Sequence, residues 1–95
     1  MDDDTSTAPP QQALLAFPCR FPIKVMGRRD AGFAQGVQRI VLRHSPDFEP
    51  ASMEMRPSRQ GTYLSLTCMV NATSPEQLDA LYRDLCDRPS VVMVL

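Results

Sequence analysis

Tyr63-Leu64-Ser65-Leu66-Thr67-Cys68-Met69-Val70, followed after three residues by Ser74-Pro75-Glu76-Gln77-Leu78-Asp79-Ala80-Leu81-Tyr82, is the stretch that decides the fold. Its first half alternates, with Leu64, Leu66, Cys68 and Val70 on one face and Tyr63, Ser65, Thr67 and Met69 on the other. A period of two marks a half-buried strand. The second half changes period. Ser74 at the N-cap, Pro75 at the first helical position and Gln77 at the third make a capping box. Leu78, Leu81, Tyr82 and Leu85 then fall on one helical stripe.

Upstream, Met53 and Met55 alternate with Ser52, Glu54 and Arg56 in a weaker strand that Pro57 ends. Ser58-Arg59-Gln60-Gly61 supplies a turn, so this strand and the one from Tyr63 form a hairpin. Before them Phe33, Val37, Ile40, Val41 and His44 make a second helical stripe, with Asp30 as its N-cap and Pro46 as its stop. Arg39 and Arg43 lie in its last turns, where cations suit the helix dipole. Earlier still, Phe21, Ile23 and Val25 alternate with Pro22, Lys24 and Met26, and Gly27 ends that strand. Pro22 is tolerable there because a first strand residue can forgo its ladder hydrogen bond.

Downstream, Pro89 closes the second helix, and Val91 to Leu95 forms a last strand. Its continuous apolar run predicts shielding on both sides, by a partner chain if not by this one. The order is β-α-β-β-α-β. With right-handed crossovers this gives an α+β, ferredoxin-like sandwich: a four-stranded antiparallel sheet with two helices on one face. The expected core joins Phe21, Ile23, Val25, Leu64, Leu66 and Val70 to the two helix stripes. The other sheet face stays open and carries Lys24, Met26, Glu54, Arg56, Tyr63, Ser65, Thr67 and Met69.

Composition agrees with one small globular domain. Ninety-five residues leave no room for a second core, and 43% hydrophobic with 22% charged residues is not the balance of a disordered chain. Residues 1–12 are polar and proline-bearing and read as a disordered tail, with the domain spanning 13–95. A short helical turn is expected over Ala13 to Ala16. Asp2, Asp3 and Asp4 stand where a signal peptide would need basic and then apolar residues, and no apolar run is long enough to cross a bilayer. Setting those three aside, ten Lys and Arg face eight Asp and Glu, too mild an excess to argue for nucleic acid. Cys19, Cys68 and Cys86 are odd in number and lack metal-ligand spacing, so they read as reduced, buried thiols in a cytoplasmic protein. Asn71-Ala72-Thr73 matches a glycosylation sequon that such a compartment would leave unused.

Several segments resemble the YbeD-like family of bacterial proteins, a family of unknown function. Leu14-Leu15-Ala16-Phe17-Pro18 and Phe21-Pro22-Ile23-Lys24-Val25-Met26-Gly27 are similar to its opening. Arg59 to Ser65 and Glu76 to Tyr82 are similar to its hairpin and second helix, and Val92-Met93-Val94-Leu95 to its ending. The resemblance implies a ferredoxin-like sheet like that of ACT regulatory domains, which bind small ligands and steer enzymes. It leaves the tail outside and implies no catalytic residue.

The residues themselves hold no catalytic constellation, metal-ligand set or cofactor motif. His44 is the one histidine; Asp47 is its nearest carboxylate in sequence, with no nucleophile beside them. The best ligand candidate is the loop of Gly27, Arg28, Arg29, Asp30 and Gly32, where helix amides and two guanidinium groups would hold a carboxylate or phosphate. Lys24, Met26, Glu54, Arg56, Tyr63, Ser65, Thr67 and Met69 are the candidate interface, for a protein partner or a second copy. The expected function is a non-enzymatic regulatory or adaptor domain. The alternatives are single-stranded RNA binding, for which the open face offers only Tyr63 as a stacking aromatic, and an enzyme component completed by a partner chain.

Overall fold

The computed structural model describes residues 16–95; the expected tail and most of the turn foreseen at its end fall outside them. Strand β1 (Cys19–Arg28) leads into helix α1 (Phe33–His44), then a short 3-10 turn (Pro50–Ser52). The hairpin follows as β2 (Glu54–Pro57) and β3 (Tyr63–Ala72), then helix α2 (Pro75–Cys86) and strand β4 (Val91–Val94). The sheet order is β2-β3-β1-β4 and every pairing is antiparallel. The two long strands are central, in unbroken register from Cys19 opposite Ala72 to Arg28 opposite Tyr63.

The alternation in β1 and β3 is what gives the domain its core. Ile23, Val25, Leu66, Cys68 and Val70 point to the helix side and are 1% exposed or less. They meet Phe33, Val37 and Val41 of α1 and Leu78, Leu81 and Leu85 of α2 in one apolar cluster. Phe21 and Leu64 pack at its margin, half-buried. Phe48, from the loop after α1, joins the cluster although it belongs to neither stripe.

The capping box forms with one change. The Gln77 backbone N–H donates to Ser74 Oγ at 3.0 Å. The Gln77 side chain accepts from the Thr73 N–H at 2.6 Å, one residue before the cap itself. Its amide nitrogen donates to the His44 carbonyl at 2.8 Å, which ties the start of α2 to the end of α1. One side chain therefore fastens the approach to α2 and satisfies a terminal carbonyl of α1.

Five expectations need correction. Strand β1 starts at Cys19, so Pro22 lies inside it. Lys24 exchanges both backbone hydrogen bonds with Leu95, so by alternation the nitrogen of Pro22 faces the same side, where β4 has already run out. Gly27 does not end β1; it is a buried strand residue where a Cβ would overlap the Phe33 ring and the Ser90 carbonyl. Asp30 is not the cap of α1. That place is held by Gly32 at φ 85°, in the left-handed region, with no side-chain cap. The chain needs this reversal to swing from the end of a central strand into the helix. Strand β4 is an edge strand, with Val92 56% and Met93 46% exposed, so no described element of this chain shields it on both sides. Finally, only Cys68 is buried: Cys19 is half-buried and Cys86 exposed, and all three thiols are free.

Candidate functional site

The β1–α1 loop is drawn tight by backbone hydrogen bonds. The Arg28 N–H donates to the Ser90 carbonyl at 2.9 Å, and the Arg29 N–H to the Thr62 carbonyl at 3.0 Å. These bonds pin the loop between β4 and the hairpin turn. Arg28 stands opposite Tyr63 in the sheet register, and the Arg29 guanidinium lies against Gly61. Asp30 spends its N–H on the Arg28 carbonyl and its own carbonyl on the Phe33 N–H. Because Gly32 caps α1 without a side chain, the first-turn amides of that helix meet no side-chain acceptor. Both arginines are exposed; the register puts Arg28 beside Tyr63 on the open face and the Arg29 guanidinium lies at the hairpin turn, so the structure does not gather the two guanidinium groups at the start of α1.

The open face can be laid out row by row from the register. One row runs Arg56, Ser65, Met26, Met93 across the sheet; the next runs Glu54, Thr67, Lys24 and Leu95. Met69 lies beyond, opposite Pro22, and Tyr63 stands at the near end of β3. All eight side chains expected on this face are therefore on it. Two more, Met93 and Leu95, were not foreseen there; they are 46% and 65% exposed and complete an apolar corner with Met26. The period-two spacing of Met93 and Leu95 carried the signal. It was hidden because Val92 and Val94 between them are also apolar, and because the β1–β4 register shifts at Met26/Gly27.

The face divides into two dishes. A bowl of about 490 Å³ is lined by Lys24, Glu54, Met55, Arg56, Ser65 and Thr67. A smaller one of about 160 Å³ is lined by Lys24, Met26, Ser65, Met93 and Leu95. Lys24 and Ser65 line both. Charge gathers toward β2 and apolar surface toward β4.

His44 pairs with a carboxylate, but not the one nearest in sequence. Its Nε2 lies 2.9 Å from Asp84 Oδ2, and Arg43 donates to the same oxygen at 2.8 Å. The His44 hydrogen bond, and then the Arg43 charge, hold the Asp84 carboxyl below its usual range. Asp47 is occupied elsewhere, accepting from Asn71 Nδ2 at 2.7 Å and Ser45 Oγ at 3.1 Å. These two bonds hold its carboxyl low as well. Among the described residues no hydroxyl or thiol hydrogen-bonds the His44 ring, and no cluster of three His, Cys, Asp or Glu fit for a metal occurs. The pair is a clamp between two helices. Burial pushes the Cys68 thiol up to about 11, which keeps it protonated and unreactive. No helix among the described residues is long and apolar enough to cross a membrane.

Residues 12–95 match the family model described as "Protein of unknown function (DUF493)". The UPF0250 protein NE1487 of Nitrosomonas europaea is 51% identical over 85 residues, covering 90% of this chain and 98% of that protein. A UPF0250 protein of Bordetella pertussis is 54% identical over 87 residues, covering 92% and 96%. Two solved structures share the fold. Protein HP0495 from H. pylori superposes with a TM-score of 0.71 at 11% identity, covering 92% of this chain and 91% of that one. The ACT domain from GTP pyrophosphokinase of Chlorobium tepidum superposes with a TM-score of 0.62 at 14% identity, covering 80% and 84%. The chain belongs to the DUF493 family, and its fold is the ferredoxin-like fold that this ACT domain also has.

Proposed function

We propose, taking membership of the DUF493 family as the premise, that this chain is a non-enzymatic regulatory or adaptor domain that works by docking its open sheet face on another protein. One observation carries the reading. Met26, Met93 and Leu95 form an exposed apolar corner that runs onto the unpaired edge of β4 and is rimmed by Lys24, Glu54 and Arg56. An apolar centre with a charged rim is the composition of a protein contact, and methionines adapt to the shape of a partner. The edge adds free backbone donors and acceptors to which a partner strand can pair.

The ACT-domain likeness supports the regulatory half of the proposal by analogy of fold alone. A small anionic ligand at Arg28 and Arg29 is a second part of the same reading, favoured by the uncapped start of α1 a few residues on in the chain. RNA binding is less well supported, since Tyr63 is the one aromatic that the described strands present on the open face. A catalytic role completed by a partner chain is less well supported, since among the described residues no hydroxyl or thiol hydrogen-bonds the His44 ring.

The test is capture of partners from native cells with the wild-type chain and with Met93→Asp and Met69→Asp. An enzyme that is retained by the wild type, lost by both variants and altered in activity by added protein would bear the proposal out. Equal capture by all three would end it. Sedimentation over a range of concentrations separates a second copy from a different partner. For the ligand, heat of binding with amino acids should vanish in the Arg28→Ala/Arg29→Ala double variant.

A further inference from the structure

A groove of about 250 Å³ lies between α1 and α2 on the helix side, and neither Arg28 nor Arg29 lines it. Its walls include Arg39 and Arg43 from α1, and Asp84, Asp87 and Arg88 from α2 and the residues that follow it. Arg39 and Arg43 are one helical turn apart, so both guanidinium groups reach the same side. We propose that this groove is a binding site for a phosphate-class oxyanion, gripped by Arg88 and Arg39.

Gly36 shows how firmly Arg88 is placed. A Cβ at position 36 would overlap the Arg88 guanidinium carbon and both of its terminal nitrogens at once. The planar group therefore lies flat on the backbone of α1. A glycine inside a helix costs up to roughly 1 kcal/mol against alanine, and here, at the end of the first turn of α1, its bareness makes the seat for that guanidinium. Within the seat, Arg88 is poorly satisfied. Its Nε is buried with no hydrogen-bond partner, and one terminal nitrogen makes a long 3.4 Å bond to the Gly32 carbonyl. Among the described residues neither Arg88 nor Arg39 is in an ion pair. The buried Nε is out of a ligand's reach, but the terminal nitrogens, held in place and engaged only by the long bond to Gly32 among the described residues, are preorganised donors for an oxyanion.

The carboxylates in the groove do not supply that partner. Asp84 already accepts from His44 and Arg43 through one oxygen. Asp87 makes no ion pair among the described residues and adds a repelling charge at the rim. Arg43 is balanced by Asp84, which leaves Arg39 and Arg88 against Asp87. A phosphate has three or four oxygens and up to two charges with which to span two guanidinium groups, whereas a carboxylate has two oxygens and one charge. Phosphate is the better match.

The experiment follows the Gly36 amide and the Arg88 Nε–Hε signal by NMR at fixed ionic strength. Inorganic phosphate, glycerol phosphate and acetate are titrated in separate arms. Saturable shifts with inorganic phosphate, weaker with acetate, are expected. Stronger binding of glycerol phosphate than of inorganic phosphate would identify a phosphorylated metabolite as the ligand, and the reverse would identify the free ion; either supports the site. Arg88→Gln and Arg39→Gln should each weaken binding about tenfold or more, while Asp87→Asn tightens it. Arg39 is exposed, so its variant keeps the test valid if Arg88→Gln unfolds. No saturable shift with phosphate would overturn the proposal, as would acetate binding as well as phosphate. Loss of binding in Arg28→Ala/Arg29→Ala with Arg88→Gln unaffected would assign the anion to the loop and remove the groove site, leaving the docking proposal untouched.

Discussion

The two sides of the sheet are made from alternate residues of the same strands and meet opposite fates. On the helix side, Ile23, Val25, Leu66 and Cys68 are wholly buried; on the other, Met26, Met93 and Leu95 are 38%, 46% and 65% exposed. Apolar character alone does not separate these sets, since leucine appears on both sides of the division. What separates them is where the crossovers place the helices. The edges differ in a similar way. Strand β2 reads Glu54-Met55-Arg56-Pro57, with charges and a proline that discourage further pairing, whereas β4 reads Val91-Val92-Met93-Val94 and has none. The lesson is that the apolar corner sits at the edge least protected against a partner strand.

Truncation gives the sharpest contrast. Leu81→Ala, wholly buried on the helix side, should lower stability by about 2–5 kcal/mol in urea unfolding, and Met93→Ala by less than about 1 kcal/mol. Equal losses in a monomeric sample would break the distinction between the sides. Thiol chemistry sharpens it next. Cys86 should be alkylated readily in the native protein, while Cys68, buried and held near 11, should react on the order of 100-fold more slowly until urea unfolds the chain.

Fastenings of the helix layer come lower in the order. Ser74→Ala removes the acceptor for the Gln77 N–H and should cost about 1 kcal/mol, read as a lowered Tm. The Asp84 clamp adds a pH dependence. Its carboxyl is lowered in the fold from 3.8, so its contribution is complete above about pH 4 and is lost as pH falls through the lower folded value. Asp84→Asn should therefore be less stable than the wild type near pH 7, by a small margin for so exposed a group, and the gap should close below that value. The smallest effect belongs to the open side. Met93→Asp should change stability by no more than about 0.5 kcal/mol while it removes the docking described above.

Much of the fold was legible, and for local reasons. The helix from Pro75 was announced by its own cap and stripe, and β3 by its alternation; both follow from contacts within a few residues. The start of α1 was misread because Asp30 satisfies a cap rule that the chain does not use, the reversal at Gly32 being a requirement of the path from sheet to helix. The candidate site was legible in part. The eight residues on the open face followed from alternation, but Met93 and Leu95 needed the pairing partner of β4, and the Asp84 partner of His44 lay forty positions away. Arg88 gave no signal at all, because nothing in its neighbourhood records that Gly36 lies beneath it.

The sequence by itself determined which residues repeat at two and which at 3.6, and so the order of strands and helices and the side of each that must be buried. Those are properties of chain geometry and of water's rejection of apolar surface, and they act over a few residues. Only the tertiary structure decided which carboxylate His44 finds, which glycine supports Arg88, and that the last strand closes one edge of the sheet and leaves its own edge bare. Such matters depend on the position of residues far apart in the chain, which are fixed together only when the core packs.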